Sequence, residues 1–180
     1  MTDVILVLLS MAQKPQISPK SSPLDYCLDS KSLNISSDDS INKYIISNST
    51  QNWFGAVDCC NHHGMRLATV NDETEHASLN QAAESSAVFN ATGSNFWIGA
   101  SDLAAGNGVH VWQATGQSMN FSKWLDNKSQ DAAKHCVELN YDPAAQTWHW
   151  NWKLEDCERK LYFACEMVVK MFTADLVKVY

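Results

Sequence analysis

The chain has 180 residues, 45% hydrophobic and 18% charged, with a formal net charge of -7. That is long enough for one domain with a buried core, and too apolar for a disordered chain. Lys and Arg are few and scattered, the nearest to a cluster being Arg159 with Lys160, so a phosphate-tracking nucleic-acid surface is excluded.

The first residues, MTDVILVLLSMAQ, hold a short apolar run from Val4 to Leu9, followed by Ser10 and Ala12 as small residues of a cleavage site. Residues 1–12 read as a signal peptide, although Asp3 stands where a basic residue is usual. No other run is long enough to span a bilayer. Five Asn-x-Ser/Thr sequons (Asn34, Asn48, Asn90, Asn120 and Asn127) and six cysteines suit a secreted, extracellular glycoprotein with disulfides. No C-x-x-C spacing supports a zinc site.

Residues 13–40 are rich in Ser, Pro, Asp and Lys and read as a flexible lead-in. Tyr44, Ile45 and Ile46 then begin a predicted strand. In NWFGAVDCCNHHG, Trp53, Ala56, Val57 and Cys60 recur at helical spacing, and Gly64 supplies a stop. LATVNDETEHASLNQAAE predicts a short strand and a second helix, capped by Asn71 or Asp72, with Glu75 near the capping-box position. His76, Leu79 and Ala83 share its inner face. Beyond Glu84, NFWIGAS, VHVWQ, HCVELN, TWHWNW and LYFACE are short aromatic and β-branched runs between turn residues. Two helices followed by short strands define an α+β domain over 41–167, and residues 168–180 form a C-terminal tail.

NWFGAVDCCNHHGMRLATVNDETE, FWIGASDL, CVEL and DCERKLYFACE together resemble the C-type lectin-like domain family, most closely its insect members. The resemblance covers about Ile41 to Glu166. It implies two helices with short, mostly antiparallel strands and a long loop region, and a role in carbohydrate binding, surface recognition and innate immunity. It also implies the pairs Cys60–Cys165 and Cys136–Cys157, with Trp97, Ile98 and Gly99 in the central strand. Cys59 adjoins Cys60, about 100° round the helix, so the two face different partners. Cys27 and Cys59 either pair with each other or link one chain to a second, giving an oligomer.

Sugar-binding members of that family hold calcium with a Glu-Pro-Asn or Gln-Pro-Asp loop, a Glu before the third cysteine and a Trp-Asn-Asp before the fourth. Counting from Trp124, the loop positions fall here on Lys128, Ser129 and Gln130, and the Glu on Lys134. Counting back from Cys157, Trp-Asn-Asp falls on Trp152, Lys153 and Leu154. A rival alignment, two residues earlier, uses Trp150, Asn151 and Trp152 and still lacks the Asp. Calcium requires several hard oxygen ligands, and an ammonium repels a divalent cation. The expected cofactor is therefore none, with the calcium and sugar loop degenerate. Asp126, Asn127, Asp131, Glu155 and Asp156 lie near enough to build an unorthodox site, and a glycan on Asn127 would stand over this loop.

Two binding functions remain: a glycan-recognition module, with Trp150, Trp152, Asn140 and Tyr141 as candidate contacts, and a calcium-independent module for an extracellular protein ligand. Each of those residues also reads as core or turn. No enzyme is predicted, because His62, His63 and His76 near Cys59 lack a carboxylate placed to orient them.

Overall fold

A computed structural model describes residues 22–28, 43–106, 108–125 and 132–168. After a short 3-10 turn at Pro23–Tyr26, the elements are β1 (Tyr44–Ile46), α1 (Trp53–His62), β2 (Arg66–Leu67), α2 (Glu73–Glu84), β3 (Ser94–Ser101), β4 (Val111–Trp112), β5 (Cys136–Tyr141), β6 (Trp150–Glu155) and β7 (Tyr162–Glu166). This is an α+β fold with two helices and a mixed sheet of short strands. The predicted strand at Leu67–Val70 is displaced to Arg66–Leu67, and the one predicted at 147–152 runs instead to Glu155. The physical reason is pairing: Glu155 lies opposite Cys136, so β6 continues for as long as β5 offers a partner.

Local chemistry sets the helix ends. The Asn52 side chain accepts from the Gly55 N–H at 2.9 Å, capping α1. Gly64, with φ +71, turns the chain out of α1, and Met65 N–H donates back to Cys60 O. At α2 the open choice of cap resolves to Asp72, which accepts from Glu75 N–H at 2.8 Å. The Glu75 carboxylate reaches back one residue further, accepting from Asn71 N–H at 2.7 Å.

Strand order is β1-β7-β3-β5-β6, with β2 also on β7 and β4 on β3. All pairs are antiparallel except β3 with β7, where Phe96 and Trp97 lie beside Tyr162 and Phe163. Alternation along β3 builds two cores on opposite sheet faces. Trp97 joins Trp53, Leu67, Leu161 and Phe163 against α1. Phe96 and Ile98 join Leu79 of α2 with Val137, Leu139, Trp112 and Trp152. Gly99 is where β3 meets β2: a Cβ there would lie 2.7 Å from Leu67 O.

Three disulfides close the fold: Cys60–Cys165, Cys136–Cys157 and Cys27–Cys59. The alternative left open by the sequence, a link from Cys27 or Cys59 to a second chain, gives way to the intramolecular bond. Around it, His62 Nε2 lies 2.7 Å from Asp25 Oδ1 and His63 Nε2 lies 3.1 Å from Leu24 O, so the end of α1 clasps residues 22–28.

Candidate functional site

The long loop begins at Trp124, and backbone bonds fix its start. Lys123 O accepts from Trp152 N–H at 2.7 Å, and Trp152 O accepts from Leu125 N–H at 3.1 Å, so a single parallel bridge at Trp124 ties this segment to β6. The Trp124, Trp112 and Phe121 rings meet Trp152 edge-on, with centroids 5.8–6.1 Å apart, and His76 approaches from α2. Trp152 is fully buried as a result. Lys128, Ser129 and Gln130 lie outside the described residues, as do Asp126, Asn127 and Asp131.

The described positions that the resemblance assigns to the calcium loop do not present oxygen ligands. Lys134 Nζ lies 3.5 Å from Glu155 Oε1, while Arg159 donates to the other oxygen of Glu155 at 2.6 Å. Burial pushes the Glu155 carboxyl up, but the Asp156 N–H, Arg159 and Lys134 outweigh it and hold the group below the ordinary carboxylate range. Lys153 donates to Asn140 Oδ1 at 3.1 Å, and Leu154 is buried. On the rival alignment Asn151 supplies an amide oxygen, yet that oxygen already accepts from Asn140 at 2.9 Å. Asp156 is exposed and caps its own turn through Glu158 N–H.

Among the described residues, this donor set does not fit a divalent cation. Among the described residues, the one His, Cys, Asp or Glu trio with ligand atoms in mutual reach is Cys27, Cys59 and His63. Its two sulfurs are bonded to each other.

A polar network crosses the sheet. Asn95 of β3 donates to Glu138 Oε1 at 2.8 Å and to Asn140 Oδ1 at 3.1 Å, extending the Asn140–Asn151 and Lys153 contacts into one network across three strands. Glu138 is 2% exposed, and its Oε2 has no hydrogen-bond partner among the described residues. Burial, helped by the Glu155 charge, pushes its carboxyl up to about 7. The signal in the sequence is CVELN, where Glu138 and Asn140 alternate with Val137 and Leu139; of the two polar residues, only Asn140 is a candidate contact by sequence.

Of the candidate sugar contacts, Trp152, Trp150 and Asn140 are buried and Tyr141 is half-buried against Phe89 and Trp150. Trp150 Nε1 donates to Glu84 at 2.7 Å, a structural tie to α2. Trp124 and Trp148, the latter in the β5–β6 turn, remain half-exposed beside them. The sequons at Asn48, Asn90 and Asn120 are exposed, while Asn34 and Asn127 lie outside the described residues. His62 and His63 serve the α1 clasp, and Cys59 has no thiol to offer as a nucleophile.

Helices, disulfides and long loop on β6 together define a C-type lectin-like domain, and the chain belongs to the lectin C-type domain family, whose model matches residues 49–167. It is 36% identical to C-type lectin 16 of Aedes aegypti over 133 residues, 71% of this chain and 83% of that protein. It is 37% identical to salivary C-type lectin 2 of Aedes albopictus over 130 residues, covering 71% and 85% of the two chains. In three dimensions it is similar to human lithostathine, with a TM-score of 0.60 at 20% identity over 84% of this chain and 99% of that one.

Proposed function

We propose that this is a secreted, non-catalytic recognition protein that binds carbohydrate without calcium. The observation that carries the reading is Lys134 directed at Glu155, 3.5 Å away, at the position where sugar-binding relatives place a calcium-ligating Glu. An ammonium there neutralises the nearest described carboxylate and repels a divalent ion. Secretion draws on the apolar leader at residues 1–12 and the three disulfides, and on a mosquito relative whose name describes it as salivary. No helix among the described residues is long and apolar enough to cross a membrane. The exposed sequons Asn48, Asn90 and Asn120 are the proposed glycosylation sites, together with Asn34 and Asn127.

The second reading, a surface for an extracellular protein, is favoured by Leu103 and Val109, which are 42% and 48% exposed in the loop after β3. A glycan array run in calcium and in chelator, with melting temperatures in both buffers, tests the first reading. A ligand that binds only the folded state must stabilise it. The expected result is an unchanged melting temperature and chelator-resistant glycan binding. A calcium-dependent melting shift, abolished by chelator, overturns it.

A further inference from the structure

A groove of about 510 Å³ runs between β1 and the second half of α2. Residues 43–48 form its strand wall, and Gln81, Ala82 and Ser85 stand on its helix wall. Ile46, Ala82 and Val88 line it, are half-buried and pack against the core beneath α2, so its floor is apolar. Lys43, at one end, is already paired with Glu75 and Glu166, and the groove makes no demand for an ionic occupant.

β1 is an edge strand whose one neighbour among the described residues is β7. Met167 N–H donates to Lys43 O and Ser47 N–H donates to Phe163 O, each at 2.9 Å. Residues 43, 45 and 47 therefore direct their main-chain groups at β7, in the alternation of an antiparallel ladder. Tyr44 and Ile46 direct theirs the other way, where no strand lies among the described residues. An apolar edge of this kind is a template for pairing, and native proteins cover it or blunt it.

Where the chain goes next decides what can cover it. Met167 is bonded to Lys43, the residue that opens the groove, and Val168 leaves this point 44% exposed. Residues 169–180, VKMFTADLVKVY, follow, and eight of the twelve are apolar. Extended, they reach about 40 Å. Crossing the end of β1 takes about 10 Å, two strand spacings, and running beside residues 43–48 takes about 20 Å, so the segment is long enough for both.

We propose that residues 169–180 fold back over the start of β1 and fill this groove as a further strand, parallel to β1. Their main chain bonds to that of Tyr44 and Ile46, and their apolar side chains cover Ile46, Ala82 and Val88. Main-chain bonds along an open edge, with side-chain pockets beside it, are the general way an extended segment joins a sheet. The alternation in LVKVY suits the place, with Val177 and Val179 turned to the floor and Lys178 to solvent. A segment tethered at the mouth of the groove is present there at an effective concentration on the order of millimolar, which a second copy of the chain does not match. The occupant is thus the chain's own apolar tail, and docking it closes the sheet edge to strands of other molecules.

The test is amide hydrogen exchange, read by NMR, on the full chain and on a chain stopped after Val168. In the full chain the Tyr44 and Ile46 amides should be protected. In the shortened chain they should exchange at least tenfold faster. Ile45 and Ser47, held by β7, should stay slow in both and report that the sheet is intact. Ala82→Arg keeps residues 169–180 but puts a charged side chain into the floor, and it should speed the same two amides; it keeps the test decisive if the shortened chain fails to fold. Free exchange of Tyr44 and Ile46 in the full chain overturns the proposal, and so does protection that survives both changes. Surviving protection that is independent of protein concentration assigns the edge to another part of the chain, such as residues 29–42. Surviving protection that rises with concentration, alongside a dimer in sedimentation, assigns it to a second copy.

Discussion

Arg66 grips Glu166 with two nitrogens, Nε on Oε2 at 2.8 Å and Nη2 on Oε1 at 3.0 Å, joining β2 to the end of β7. The Glu166 side chain is almost wholly buried. The Thr69 N–H and hydroxyl donate to Oε2 at 3.0 and 2.5 Å. Lys43, immediately before β1, lies 3.1 Å from Oε1 and also pairs with Glu75 of α2. One carboxylate therefore ties both edge strands of this end of the sheet to the second helix.

Glu166→Gln should cost about 3 kcal/mol, because removing one member of a buried charged cluster leaves its partners uncompensated. Burial pushes the Glu166 carboxyl up, but Arg66, Thr69 and Lys43 more than offset this and hold it below its ordinary 4.5. The folded-state value is depressed, so the stabilisation is complete above the unfolded value and is lost as pH falls through the folded one. Melting temperatures measured from pH 7 down to pH 2 should fall on the acid side of about 4.5. The Gln variant should show a shallower fall.

Glu138 predicts the opposite slope. Its carboxyl is raised from 4.5 to about 7 in the folded state, so between these values the folded chain holds a proton that the unfolded chain has released. Stability should decline as pH rises through that window, by on the order of 3 kcal/mol for a shift of this size. Glu138→Gln cannot ionise. The difference in melting temperature between the variant and the unmutated chain should therefore grow from pH 5 to pH 8. A constant difference across that range would sink the assignment.

Cys60–Cys165 spans a sequence separation of 105 and joins α1 to the last strand. Replacing both cysteines with Ala should destabilise the fold by about 2–5 kcal/mol in denaturant unfolding. Peptide mapping without reductant should recover three linked pairs, including Cys27 with Cys59. An interchain Cys27 or Cys59 peptide would contradict the fold described above.

Much of this architecture could be read along the chain because its causes are local. A helical period in Trp53, Ala56, Val57 and Cys60 needs no knowledge of what the helix packs against. The Asp72 cap and the Gly64 stop depend on neighbours within five residues. The resemblance, counted from Trp124 and the cysteines, implies lysine at 128, 134 and 153 where sugar-binding relatives carry oxygen ligands.

The tertiary structure decided which of several similar residues does what. Trp148, Trp150 and Trp152 stand in one run, all aromatic and flanked by polar residues. Trp152 is buried because Trp112, Trp124 and Phe121 converge on it, Trp150 because Glu84 and Phe89 reach it, and Trp148 stays half-exposed beneath Lys123. Nothing in the sequence joins Glu138 and Asn140 into one network. Their partners, Asn95 and Lys153, are distant or on another strand, and only the register of β3, β5 and β6 brings them together. The sequence by itself determined the elements, since propensity and side-chain charge belong to each residue wherever it lies. Burial and pairing belong to surfaces that exist only once helix and sheet have met.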